Sequence, residues 1–544
     1  MRVSARPRPA LGTLAVAFAL LLTGCKSRID AGASTGSTPL YDDLGNHHHT
    51  ITASAEARKY FDQGLRLVYA FNHDEAIASF KEGARRDPNC GMCWWGVALA
   101  LGPNINLPMD PKAVPDAWDA TQKAVALAPK LTPVERDYIS ALTHRYTARP
   151  IDNRAQLDSS YARAMEEVVT KHPDDLDAAT LYAESLMDLQ PWNYWTVGGE
   201  PKGAIKEIVA TLERVVAKDP NHPGACHYYI HAIEASLEPE KALPCADRLA
   251  QLMPGAGHLV HMPAHIYMRV GRYDLAVQHN QHAVVEDVSF IGRRHPTGMY
   301  PFIYTTHNYH FLSVALAMQG KADEAIAAAR ATRKYVPFDV MKQIPPLEYF
   351  SPVPYSALAR FERWDDILKE PAPPPELPYS VGYYHYVRGL ALLATNGRDS
   401  ATSERDSLAA IQEALPPDQM ANLNSMKSLL TIALHHLDAE IALTQKKTDV
   451  AIRQLRQAIA VEDGLTYDEP PAWYLPMRQV LGNAYLAAGR PKEAEEAFRE
   501  DLRRNRENGW SLRGLKTALE KQGKNKDAAD VTARLEKAWP QPTT

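Results

Sequence analysis

The feature that most constrains this chain is a recurring spacing of small and large residues closed by a proline. With Ala57 as position 1, Gly64 falls at 8, Leu67 at 11, Ala76 at 20, Phe80 at 24 and Pro88 at 32. Small residues at 8 and 20 let two helices approach closely, those at 11 and 24 fill the space beside them, and the proline stops the second helix. The register restarts at Gly91, takes in an inserted loop at 102–110 (GPNINLPMD) and reaches Pro129. It recurs in stretches ending at Pro173, Pro220, Pro254 and Pro337, and again at Gly482, Tyr485, Ala494 and Phe498, with a last pair from about Trp510. Looser helical pairs fill 345–465 around a proline-rich turn at 371–378 (PAPPPELP). Alternating strand patterns are nearly absent. Helical pairs that cannot bury an apolar face alone must stack on their neighbours. The sequence therefore predicts an all-α fold, a right-handed α-solenoid of about ten to twelve helical pairs. An N-terminal array is expected over 51–340 and a C-terminal array over 341–544.

The register has a known counterpart. The stretch YFDQGLRLVYAFNHDEAIASFKEGARRDPNCGMCWWGVALALGPNIN, with HMPAHIYMRVGRYDLA and EAFREDL…NGW…GL, resembles a family of exported bacterial tetratricopeptide-repeat proteins. The resemblance implies the solenoid and an exported location, and it brings no activity with it. The start of the chain agrees with export. Arg2, Arg6 and Arg8 precede an apolar run of 12 residues, Leu11–Leu22. A bilayer span needs about 20, so this run suits a secretion signal instead. Leu22-Thr23-Gly24-Cys25 resembles the bacterial lipoprotein signal, which implies cleavage before Cys25 and a lipid on that cysteine. Lys26 in the next position implies the outer membrane. Residues 1–24 are thus expected to be a signal peptide and 25–50 a polar, lipid-anchored tether. The mature protein would be held at the cell envelope, on its periplasmic or surface face.

Sixty Lys and Arg against 65 Asp and Glu leave a net charge of −5, without the basic excess that nucleic-acid binders carry. Four further cysteines remain, Cys90, Cys93, Cys226 and Cys245. Cys90-Gly-Met-Cys93 suits a local bridge, two buried thiols, a redox pair or half a metal site, and Trp94 excludes haem attachment by the motif that needs His there. Whether Cys226 pairs with Cys245 is open at this level. No phosphate loop, nucleophile elbow or HExxH motif appears.

Carried over by register, positions 2, 5, 9, 12 and 13 of each first helix in this repeat family face the concave groove. The fifth repeat starts at Pro223, which puts His227 at 5, His231 at 9 and Glu234 at 12. The sixth starts at Gly257, with His258, His261 and His265 at 2, 5 and 9; the seventh starts at Thr306, with His307 and His310 at 2 and 5. The fourth, near Leu176, offers Glu184 and Asp188. Twenty histidines in 544 residues predict fewer than one in fifteen such positions, and three repeats hold seven. Spacings of i, i+4 and i, i+3 place each pair on one helical face. Paired helices of this kind present imidazoles to a transition metal, with Cu, Zn or Fe the expected ions, one or two of them.

Two functions follow. In the first, the groove is a metal site of an enzyme or a metal-handling protein, with Glu234 or His258 as candidate base. In the second, the solenoid is a scaffold that binds a peptide or protein partner in the envelope. His47, His48 and His49 form a tract of a kind that can bind metal, and read first as a flexible exposed triplet; Asn104 and Asn106 lie in the inserted loop, where binding residues often sit.

Overall fold

The computed structural model describes residues 38–296 and 298–539; the signal segment and Cys25 lie outside them. The described residues form twelve helical pairs, from Ala55–Tyr69 with His73–Arg86 to Gly509–Lys521 with Asn525–Ala538, with the short helix Phe338–Gln343 between the seventh and the eighth. The only strands among them are Met420–Ala421 and Asn424–Ser425, paired in a tight hairpin. No described helix is long and apolar enough to cross a membrane.

The small–large spacing does what the sequence requires of it. The Phe80 ring is clamped between Gly64 and Gly96 of the two flanking first helices, so that a Cβ at either glycine would strike it. Near the other end Phe498 is held in the same way between Gly482 and Gly514. Pro88, Pro173, Pro220, Pro254 and Pro337 all lie in the turns before a new first helix, and Pro129 lies in a short 3₁₀ turn. Two apolar core clusters run along the solenoid, one from Leu44 to Ala328 and one from Val336 to Val531. Cys90 is bonded to Cys93, and Cys226 to Cys245.

Two expectations need correcting. The polar tether does not extend to residue 50, because from Pro39 onward the chain packs on the array. Leu44 and Ile51 are buried, Tyr41 donates its hydroxyl to Glu75, and Gly255 donates its amide to the Asp43 carbonyl. The histidine triplet is not free either: His47 and His49 both bond Asp177, and only His48 stays exposed. The apolar residues interspersed in this segment and the buried carboxylate supply the reason.

The array also curls back on itself. Phe71, in the turn after the first helix, stacks on His258 of the sixth pair. Tyr467 reaches Glu234, and Tyr273 donates its hydroxyl to the Arg506 carbonyl. Groove positions that an open solenoid would leave in water are thereby enclosed.

Candidate metal centre

Three stretches position the histidines. The helix Pro223–Ile233 carries His227 and His231 and is capped by Glu234; the Cys226–Cys245 bond ties it to Leu243–Leu252. Gly257–His261 and Pro263–Val270 form one helical path broken at Met262, where Pro263 has no amide to donate. It carries His258, His261 and His265. A π-turn, Pro301–Thr305, leads into Thr306–Met318, which carries His307 and His310. Gly257 allows the first of these paths to lie directly against the helix Tyr273–Arg294, for any Cβ there would hit the Asp287 carboxylate. Asp287 in turn receives the Tyr300 hydroxyl at 2.9 Å and the Asn308 amide at 2.8 Å, tying in the residue beside His307.

Six of the seven groove histidines gather into two triads, His227/His231/His258 and His261/His265/His307, in each of which the ligand atoms lie within 4.8 Å of one another. Each triad has one phenylalanine against it. Phe71 lies 4.5 Å from the His227 ring and stacks on His231 and His258; Phe311 lies 4.8 Å from both His261 and His265.

The hydrogen-bond network assigns the ring protons. His261 Nδ1 is 2.7 Å from Asn280 Oδ1, and the Asn280 amide nitrogen is spent on the Ala276 carbonyl, so His261 must donate from Nδ1. His265 Nδ1 is 2.6 Å from Glu234 Oε2, and a carboxylate only accepts. His261 Nε2 therefore carries a bare lone pair, and it faces His265 Nε2 at 2.8 Å and His307 Nε2 at 3.1 Å. In the other triad His227 donates Nδ1–H to the Tyr69 carbonyl at 2.6 Å and turns its Nε2 to His258 Nε2 at 3.1 Å. His231 donates to Glu234 Oε1 at 2.8 Å, and its buried Nε2 has no partner in the protein.

Two ring nitrogens at such a distance need a proton or a cation between them. Protonation is disfavoured: burial, seconded by the neighbouring imidazoles, holds His227, His258, His261 and His307 well below the ordinary histidine range. A metal ion at that point would meet the same need. Nitrogens about 2.0–2.1 Å from one tetrahedral ion lie about 3.3 Å apart, close to the separations here. Glu234 takes a different place from a bridging ligand. It accepts from one imidazole of each triad, His231 and His265, and so fixes their orientation. Burial acts to raise its pKa, but His265 and His231 outweigh it and hold the carboxyl down at about 2.

Not every candidate joins. Glu184 and Asp188 belong to no such group; they lie beside buried Arg145, which bonds Asp188 at 2.7 Å. His310 faces Tyr349 and Phe350 outside both triads, and burial pushes it down to about 3. Sequence reasoning missed Tyr69, Phe71, Asn280 and Phe311. Only Phe311, inside the run THNYHF, carried a local signal.

A third group, His47, His49 and His222 around Asp177, looks similar and differs in its protons. His222 Nδ1 accepts from the Ala225 amide, so its Nε2 donates to Asp177, as does the Tyr69 hydroxyl. Burial works against charge on His49, but the hydrogen bond and charge of Asp177 prevail and raise it to about 9. This is a carboxylate saturated by donors, not a set of converging ring nitrogens.

The fold and the site together define an all-helical solenoid that encloses a histidine cluster. The tetratricopeptide-repeat family model matches residues 480–541. No curated protein matches the chain in sequence. Among solved structures, human IFIT1 in complex with m7Gppp-AAAA is 12% identical with a TM-score of 0.35, over 89% of this chain and 95% of that one. Yeast Tom70 is 12% identical with a TM-score of 0.31, over 88% and 91%. A chain of the APC/C hetero-tetramer Cut9–Hcn1 is 14% identical with a TM-score of 0.32, over 85% and 76%.

Proposed function

We propose that this protein is a metal-binding solenoid of the bacterial cell envelope, with His227, His231 and His258 holding one ion and His261, His265 and His307 a second. The observation that carries the reading is the convergence of three buried ring nitrogens, His261 Nε2 lying 2.8 Å from His265 Nε2 and 3.1 Å from His307 Nε2. The all-imidazole donor set favours Cu, Zn or Fe over Ca or Mg. Such an ion supplies Lewis acidity or, if redox-active, an electron. The chain itself orients the ligands through Tyr69, Asn280 and Glu234 and keeps bulk water out with Phe71 and Phe311. The lipoprotein-like Cys25 and the two disulfides support an exported, anchored location at the outer membrane.

Tag-free protein purified without added metal and measured by elemental analysis should contain one to two equivalents of a transition metal. His265→Ala should lower that content with helicity retained, whereas His144→Ala should not. If the parent holds no metal and takes none up in titration, the scaffold reading replaces this one. The repeat fold is consistent with a protein-interaction role.

A further inference from the structure

Beside the histidine centre lies a cavity of about 610 Å³, whose wall includes Trp192, Trp195, His310, Tyr467, Glu469 and Trp473. Three of these touch the centre or its helices. Trp192 lies edge-on to His231 at 5.0 Å, Tyr467 is 3.4 Å from Glu234 Oε2, and His310 is one turn beyond His307. The volume lies within the range of small-molecule sites, about 300–1,000 Å³.

Apart from Glu469, the charged side chains of the wall bond within the protein. Arg478 and Arg504 both bond Asp463, Arg269 bonds the main-chain carbonyls of Glu234 and Ser236, and Asp501 accepts from Asn508 and Ser511. Ionic recognition of a ligand is therefore not what this wall provides. The indole N–H groups of Trp192 and Trp195 are likewise spent, on the carbonyls of Ile105 and Ala232, which fixes these rings and leaves their faces to pack. Three polar atoms of the wall have no partner: Nδ1 of His310, Oε2 of Glu469 and Nε1 of Trp473, each on a side chain more than nine-tenths buried. A buried polar atom without a partner costs roughly 1–3 kcal/mol, and a ligand that bonds it recovers that cost. Trp473 can only donate, and Glu469 Oε2 lacks a donor. A hydroxyl group, which both accepts and donates, complements either atom.

We infer that this cavity binds a neutral aromatic alcohol or phenol, with its ring among the tryptophans and its hydroxyl on Trp473 and Glu469. Binding does not require the ion. The assignment of this ligand class as the substrate of the centre rests on the metal reading above.

The test is calorimetric titration of the full chain, metal-loaded and metal-stripped, with 2-naphthol, 2-methoxynaphthalene and 2-naphthoate. The inference expects saturable one-to-one binding of 2-naphthol, about tenfold tighter than the ether, which has no donor, or the carboxylate, which is charged. Trp473→Phe, which removes only the indole N–H, and Glu469→Gln should each weaken 2-naphthol by about five- to tenfold, with metal content unchanged. Equal binding of all three probes, no saturable binding, or variants that bind as the parent does would overturn it. Because metal content is measured separately, 2-naphthol binding to a protein that holds no metal would sustain the pocket and sink the metal reading. A loaded protein that ignores 2-naphthol would do the reverse.

Discussion

Glu234 and the imidazoles around it decide how the centre behaves. In Glu234→Gln one of the two oxygens becomes an amide nitrogen, which cannot accept from an imidazole N–H. Either His231 or His265 must then turn or change tautomer. A loss of about 10- to 100-fold in metal affinity is expected, measured by competition with a chelator of known affinity. Acid should release the metal late. Four of the six candidate ligands are held well below the ordinary histidine pKa of about 6.5, so protons compete with the ion only at pH values below it. A chelator titration from pH 7.5 to 4.5 should show affinity nearly unchanged through pH 6.5 and falling further down; a midpoint at 6.5 would mean solvent-exposed ligands. His49 behaves in the opposite sense. Its charged form is favoured in the fold, so its contribution to stability is complete below about pH 6.5 and is lost as the pH rises through about 9. The difference in Tm between the parent and His49→Gln should shrink across that interval, and a constant difference would contradict the ion pair with Asp177.

At the level of elements, the helices that carry the ligands are held by close approaches that tolerate no side chain. Gly224 lies against the Tyr69 ring, whose carbonyl orients His227, and Gly257 lies against Asp287. An alanine at either position should cost about 1–3 kcal/mol by overpacking and loosen the triad it adjoins. The Cys226–Cys245 bond closes a separation of 19 residues around the helix with His227 and His231, so its reduction should cost about 3 kcal/mol and lower metal retention. Thermal unfolding with and without reductant checks both statements.

Much of this level was legible in the sequence. Proline spacing set the register, and register placed six of the ten candidate residues in the two triads and Glu234 between them. The rest was not legible, for a physical reason. Helical periodicity reports neighbours three and four residues apart, whereas Glu184 and Asp188 were claimed by an arginine some forty residues away in sequence, Arg145. Asn280, which fixes His261, stands 19 residues on and on a second helix, with no pattern to mark it.

For the molecule as a whole, the decisive property is that a repeat array closes on itself. Its first turn supplies Tyr69 and Phe71 to one triad, and its C-terminal half supplies Tyr467 to Glu234. That closure depends on superhelical curvature, which no short-range signal encodes, and it is why residues expected in an open groove are buried. Neighbouring repeats keep their own apolar contacts, so metal loss should lower stability without unfolding the array. At an ion concentration 100-fold above Kd the gain is about 2.7 kcal/mol. The most direct measurement of the central claim is anomalous diffraction at the metal edge, on crystals of tag-free protein. The account predicts peaks at the meeting points of the Nε2 atoms, one among His261, His265 and His307 and one among His227, His231 and His258. Absence of a peak at both positions in protein soaked with excess metal, or a peak at Asp177 alone, would contradict it.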